Sequence, residues 1–231
     1  LSRVLVITGA SSGLGRALAL RAAQSGDNLV LIARRESLLR EVALECKNAV
    51  ALVGSVADEP IWKAAVQAVR QLEGDEIILV NNAGIARFGS FHDQDFNTWR
   101  EQMDTNLLGA MGLTHALIPA MLERGAGRVV NILSIVLKTA LPGTAGYTAS
   151  KAGLEAMSRA LSAEYRKQGI TFTNIYPGAS NTSIWDAQQG HPPRDQMIPE
   201  DSLADTIHQA LQTPRDRVIE ELVITPPLGI L

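Results

Sequence analysis

Tyr147 and Lys151 stand four residues apart in Tyr147-Thr148-Ala149-Ser150-Lys151, which puts a phenol and an ammonium on one face if the segment is helical. In a chain of this composition chance supplies roughly 0.06 such pairs, so the match carries some information. The chemistry on offer is proton transfer. An ordinary tyrosine titrates near pH 10, and a neighbouring cation favours the phenolate and lowers that value. Bringing it to about 7 takes on the order of 4 kcal/mol, within reach of one partly buried cation and a charged bound group. A pair exposed on a helix surface has the same spacing, so the reading depends on what else the chain holds.

A second chemical segment is Thr8-Gly9-Ala10-Ser11-Ser12-Gly13-Leu14-Gly15, between a first apolar run and a helical pattern. Glycines there permit a tight turn and bring backbone N–H groups close to a pyrophosphate at a helix N-terminus, where the dipole favours anions. The spacing is G-x-x-x-G-x-G rather than G-x-G-x-x-G, and a plain strand-to-helix turn also accommodates it. About twenty residues on, the second apolar run ends in Ala33-Arg34-Arg35. A dinucleotide fold uses this place to meet the adenosine ribose, where an acid accepts from a free 2'-hydroxyl. Two guanidinium groups favour a 2'-phosphate instead, hence NADP(H), with NAD(H) as second choice. Solvated arginines opening a helix are the plainer alternative.

These groups need a scaffold, and the hydropathy pattern predicts one. Short runs rich in Val, Ile and Leu recur at 4–8, 28–33, 49–53, 76–80, 128–133, 170–176 and 221–225. They are continuously apolar, as expected of strands covered on both faces. Between them lie helically spaced sets such as Leu14, Leu18 and Ala22, or Ile61, Ala65, Ala68 and Leu72. Strand-helix alternation predicts a parallel sheet with helices on both sides, an α/β fold. With no Pro/Gly/Ser-rich linker and no fixed-period repeat, one domain over 1–231 is expected. The stretch 183–198, carrying Gly190, Pro192 and Pro193, is expected to be a substrate loop.

Composition narrows the function classes. The 231 residues are 46% hydrophobic and 19% charged, with a net charge of -3 and no run of like charges, so neither a nucleic-acid face nor a polybasic membrane patch is expected. Cys46 is the single cysteine, which excludes an intramolecular disulfide and a cysteine-cluster metal site. His92, His115, His191 and His208 lack metal-ligand spacing, and no metal is expected. Asp93 and Asp95 read as a helix-entering stretch. With no unbroken apolar run of bilayer length and no signal-peptide pattern, a cytoplasmic location is expected.

The ordered motifs resemble the short-chain dehydrogenase/reductase family over essentially the whole chain. Thr8 to Gly15 matches its T-G-x-x-x-G-x-G. Asn81-Asn82-Ala83-Gly84 matches N-N-A-G, beside the adenosine and ribose. Asn106 matches the helix asparagine that supports a water linked to the active-site lysine. Ser134, thirteen residues before Tyr147, matches the catalytic serine, and Pro177-Gly178 with Thr182 matches P-G-x-x-x-T, which holds the nicotinamide carboxamide. Ser55-Val56-Ala57-Asp58 departs from the frequent D-V-x-D, which puts adenine contacts at that corner in doubt; the Ser55 hydroxyl is the available substitute.

The resemblance implies a doubly wound Rossmann-type domain of about seven strands in order 3-2-1-4-5-6-7. It implies hydride transfer between NADP(H) and a small carbonyl or secondary alcohol. Asn106, Ser134, Tyr147 and Lys151 would form the catalytic set. Gly9, Ser11, Ser12, Gly13, Leu14, Gly15, Arg34, Arg35, Ser55, Val56, Asn82, Ala83, Gly84, Pro177, Gly178 and Thr182, together with Tyr147 and Lys151, would hold the cofactor. A homodimer or homotetramer through helices around 98–124 and 148–168 is also implied. Phe88, Leu137, Leu141 and Ile184 are expected pocket linings, and Trp185 is expected either to cover substrate or to pack a lid. An NAD-dependent alcohol dehydrogenase and a non-catalytic cofactor sensor are the alternatives.

Overall fold

Alternate residues of a strand point to opposite faces, so an unbroken apolar run must be covered twice. In the computed structural model, which describes residues 2–47, 49–186 and 191–229, this is how the first six strands are used, while the last leaves Glu221 and Val223 exposed. Leu5 and Ile7 of β1 (Arg3–Thr8) enter one core with Leu29 and Leu31 of β2 (Asn28–Ala33). Val4 and Val6, with Val30 and Ile32, enter the other. The remaining strands are β3 (Ala49–Val53), β4 (Glu76–Asn81), β5 (Gly127–Ile132), β6 (Ile170–Pro177) and β7 (Glu221–Ile224). All seven pair in parallel, in the order β3-β2-β1-β4-β5-β6-β7. This is the expected doubly wound sheet, with strand limits within two residues of the hydropathy pattern.

α1 (Gly13–Gln24), α2 (Glu36–Glu45) and α7 (Glu200–Leu211) cover the first core through Leu18, Leu39, Val42, Leu203 and Ile207. The second core is closed by α3 (Glu59–Gln71) and α5 (Gly109–Arg124), through Ile61, Ala65, Leu113 and Leu117. α6 (Ala145–Tyr165) lies beside β6, and its Leu154 packs with Tyr176. α4 (Phe96–Met103) begins with Asp95, whose carboxylate accepts the Asn97 N–H at 3.0 Å, so the helix-entering reading of that stretch holds.

A helix was expected around 98–124. The structure instead has α4 and α5 joined by a π-helical turn, Asp104–Leu108, with Asn106 buried at its centre. The rod Phe96–Arg124 is 29 residues long and contains an 18-residue window of mean hydropathy 1.2, enough by length and composition to cross a bilayer, but half of that window is buried inside the fold.

Two polar devices fix the sheet. At the strand N-termini, buried Arg3 forks onto Asp27 at 2.8 and 2.6 Å and donates to Leu211 O at 2.7 Å, while Arg128 reaches Glu76 at 3.2 Å. Near the opposite end, Asn81, Asn131 and Asn174 stand in register on β4, β5 and β6. Asn81 Nδ2 donates to Asn131 Oδ1 at 2.9 Å and Asn131 Nδ2 to Asn174 Oδ1 at 3.2 Å. The ladder lies directly below the strand ends that carry the site.

Candidate active site

Beyond the C-terminal ends of the strands lies a cleft of about 650 Å³, inside the usual size range for small-molecule sites. One end is bordered by Arg34, Arg35 and Ser55. Its middle is the glycine turn and Asn82-Ala83-Gly84, and its other end holds Ser134, Tyr147, Ile184 and Trp185.

Thr8, the last residue of β1, ties the first two segments together. Its hydroxyl accepts the N–H groups of Asn82 at 2.9 Å and Ala83 at 2.8 Å, and Asn82 Nδ2 returns a bond to Thr8 O at 2.8 Å. Gly9 and Gly13 have φ of +68° and +59°, which an L side chain adopts only under strain, so at these two positions the turn presents bare backbone to the cleft. Gly15 does not line the cleft. A Cβ there would sit 2.4 Å from Gly9 O and 2.6 Å from Asn82 Nδ2, so this glycine lets α1 lie against the turn. Gly15→Ala is therefore expected to cost about 1–3 kcal/mol in a denaturant melt and to distort the turn, because the first obstacle is backbone. Unchanged stability would count against this packing role.

Arg35 donates to Ser11 Oγ at 3.1 Å and also to Ser12, which draws its guanidinium over the turn. Arg34 is exposed and has no hydrogen bond or ion pair with a described residue. The two arginines, expected to act alike, therefore stand in different states. Ser55 Oγ accepts the Ala57 N–H at 3.2 Å and retains its own hydrogen to donate, while Val56 is buried and its carbonyl accepts from the Trp62 indole at 2.7 Å.

At the other end, Tyr147 and Lys151 occupy the first turns of α6, both buried. Ser134 follows β5, accepts the Val136 N–H at 3.3 Å and stands near enough to the Tyr147 phenol to favour its charged form. Lys151 Nζ donates to Ile132 O at 2.7 Å and lies 5.9 Å from the Tyr147 ring centroid. The expected electrostatics need correction here. In the free protein burial dominates: it pushes Tyr147 up to about 12, and the neighbouring Ser134 hydroxyl opposes this only partly. Burial acts on the lysine as well, lowering it to about 8. In both groups the low-dielectric setting disfavours the charged form.

Asn106 also differs from the simplest reading of its role. Its Oδ1 accepts the Ile85 N–H at 2.8 Å, and its Nδ2 donates to Ile85 O at 2.9 Å and Ser150 Oγ at 3.0 Å. Both amide hydrogens are thus spent on protein, and the side chain clamps the segment after Gly84. The π-helical turn aims it there, a local irregularity of the kind found at functional sites. Ser150, which donates to Tyr147 O at 2.7 Å, was not singled out in the sequence. Its signal was the i, i+3 spacing from Tyr147 inside a helix. The fully buried Gln102, which accepts the Arg87 N–H at 3.0 Å, was missed as well, and Thr8 was read as the opening of the glycine turn without its clamp on Asn82 and Ala83.

Pro177 and Gly178 end β6, with Gly178 N–H bonded to Ile224 O at 2.7 Å, and both line the cleft with Thr182. Phe88 stands edge-on to Tyr147 at 5.7 Å and to Trp185 at 5.9 Å between ring centroids. Phe88, Leu141, Ile184 and Trp185 line the cleft. Leu137 does not; it packs with Leu133, Leu154 and Tyr176 as well as beside Val136, so its place in the lining is corrected. Of the loop 183–198, residues 187–190 lie outside the described residues. The rest contains turns at Ser183–Trp185 and Arg194–Gln196, and Arg194 binds Asn181, Thr182 and Asp186 at 3.0, 3.0 and 2.6 Å.

The sequence model of the family described as short chain dehydrogenase matches residues 3–192. This chain belongs to the short-chain dehydrogenase/reductase family. Among the relatives of this dehydrogenase/reductase is sulfoacetaldehyde reductase 2 of Chromohalobacter salexigens, 36% identical over 189 residues, which cover 80% of this chain and 75% of that protein. Sepiapterin reductase of Chlorobaculum tepidum is 31% identical over 240 residues, covering 99% and 98%. A solved alcohol dehydrogenase of the archaeon Thermococcus sibiricus, complexed with 5-hydroxy-NADP, superposes with a TM-score of 0.91 at 26% identity, covering 100% of this chain and 99% of that one.

Proposed function

We propose that this dehydrogenase/reductase interconverts a small carbonyl compound and a secondary alcohol with NADP(H), working mainly as a reductase, and that the whole chain acts as one cofactor- and substrate-binding unit. The carrying observation is the meeting of Ser134, Tyr147 and Lys151 in one cleft with a bare glycine turn and two arginines. The residues present fit a dinucleotide phosphate: a turn without side chains at Gly9 and Gly13, the hydroxyls of Ser11 and Ser12, and a guanidinium on Arg34 that has no partner among the described residues. Both relatives named above are called reductases, and the solved neighbour carries an NADP derivative, which supports the same reading.

The bound cofactor supplies hydride to the carbonyl carbon. Ser134 donates a hydrogen bond to the carbonyl oxygen, and Tyr147 gives that oxygen its proton as negative charge develops. A phenol pushed to about 12 keeps its proton at neutral pH, the state a general acid for reduction requires. Lys151, cationic below about 8, stabilises the phenolate left behind, and in this reading it also holds the nicotinamide ribose. Asn106 fixes Ile85, and with it the wall beside Gly84. Phe88, Leu141, Ile184 and Trp185 form the apolar side of the substrate pocket, and the stretch 183–198 serves as its substrate loop. Arg34 and Arg35 meet the 2'-phosphate; Pro177, Gly178 and Thr182 meet the nicotinamide end.

Titration of the purified protein with NADPH and NADH, followed by binding heat and cofactor fluorescence, tests this. A preference for NADPH of about tenfold or more, on the order of 1.4 kcal/mol, is expected, and Arg34→Asp should erase most of it. Equal binding or an NADH preference would overturn the phosphate assignment and favour an NAD-dependent alcohol dehydrogenase; binding of neither would overturn the enzyme reading.

A further inference from the structure

Two helix N-termini approach one another beside the glycine turn. α7 begins at Glu200, and Glu200 Oε2 lies 3.9 Å from where a Cβ on Gly13 would stand, with Thr182 Cβ at 4.0 Å from the same point. Gly13 opens α1, where the pyrophosphate of a dinucleotide would meet backbone N–H groups. A carboxylate therefore stands beside the seat of a doubly charged anion.

The surrounding charges do not neutralise it. On α1, Arg16 is bound to Glu45 of α2 at 2.9 Å, and Arg21 is bound to Asp201 at 3.2 Å and to Asp205. On α7, Asp201 and Asp205 are therefore satisfied, and His208 contacts Ser25 at 3.1 Å. From the loop after β6, Arg194 is bound to Asp186 at 2.6 Å. Each of these cations already has a carboxylate partner, whereas Glu200 has no hydrogen bond or ion pair with any described residue. Its carboxyl is held above its ordinary value by burial and then by Asp201, with Arg16 pulling the other way.

We propose that Glu200 takes up a proton when the dinucleotide binds, so that this side chain limits cofactor affinity and couples it to pH. The inference rests on the glycine turn being a pyrophosphate site. The added negative charge favours the neutral acid, so the complex binds more protons at Glu200 than the free protein does. Affinity is then highest below the free-protein pKa, falls as pH rises toward the higher value in the complex, and is level above it. The 2'-phosphate of NADPH has a pKa near 6, and its arginines favour the dianion, so it contributes proton release of opposite sign. NADH lacks that group and isolates the effect.

Calorimetric titration of NADH and NADPH into wild type and Glu200→Gln, in buffers of different ionisation enthalpy, is the test. At neutral pH the variant should bind both cofactors about three- to tenfold more tightly. The gain should shrink toward pH 5, and the variant should take up fewer protons per cofactor bound. Loss of a first-turn acid from α7 would by itself weaken that helix, which cannot produce tighter binding. Equal or weaker affinity in the variant, or identical proton counts, would overturn the proposal. An NADH preference with the Glu200 effect intact would overturn only the 2'-phosphate reading. Failure of both proteins to bind either cofactor would remove the pyrophosphate site and this inference with it.

Discussion

Tyr147→Phe lowers turnover by about 10²- to 10⁴-fold, the range general acid catalysis contributes, while cofactor affinity stays within about twofold. The ring is the part of Tyr147 that packs against Phe88, and phenylalanine keeps it, so the cleft wall is preserved. What disappears is the phenol hydroxyl beside Ser134. Steady-state reduction of a carbonyl panel, with cofactor titration alongside, separates the two quantities. If the panel finds a substrate and the variant retains more than about a tenth of wild-type turnover, Tyr147 is not the acid.

The second large effect concerns charge. Lys151→Met is expected to lose turnover and to change how stability depends on pH. The ammonium titrates at about 8 in the folded protein against 10.5 for an ordinary lysine, because burial disfavours its charge. Between those values the unfolded chain binds more protons than the folded one, so unfolding free energy of the wild type rises with pH across that window. The gap corresponds to on the order of 3 kcal/mol, and methionine cannot show it. Denaturant melts of both proteins from pH 7.5 to 10.5 should therefore move in favour of the wild type by about that amount. A constant difference would show that Lys151 is not held in a low-dielectric site. In the active protein the same titration removes the cation beside Tyr147, so kcat/KM for reduction should decline above about pH 8.

β1 to β6 were legible because each is apolar on both faces and alternates between two cores, a pattern that survives without knowledge of its partners; β7, at the sheet edge, packs only Leu222 and Ile224 and leaves Glu221 and Val223 exposed, against the expectation of a strand covered twice. Tyr147 with Lys151, and the glycine turn, were legible because the chemistry fixes residue type and spacing. The π-helical turn at Asp104–Leu108 was not, since one extra residue in a single turn leaves little trace in the helical spacing of so short a stretch. The direction of the Tyr147 shift was also hidden. Spacing puts a lysine nearby, but only the fold shows that its Nζ is engaged by Ile132 O and that burial dominates. Leu137 was misplaced for a related reason: its neighbour Val136 lines the cleft, and in the turn after Ser134 one position decides which side chain does.

The amides of Asn81, Asn131 and Asn174 have a consequence for how the molecule reaches its native pairing. Parallel strands meet only after long crossovers, and 50 residues separate the first two amides and 43 the last two. An apolar run such as Val129-Val130 would tolerate a neighbour displaced by one residue almost as well, since both of its faces are greasy. The asparagines would not: a slip sends each amide to the opposite core, where it meets hydrocarbon and leaves several polar atoms without partners. The three side chains thus act as a proofreading mark, admitting one alignment of the central strands and penalising its near-misses. That alignment sets the relative height of Ser134, Asn82 and Pro177, which leave the tops of the same three strands.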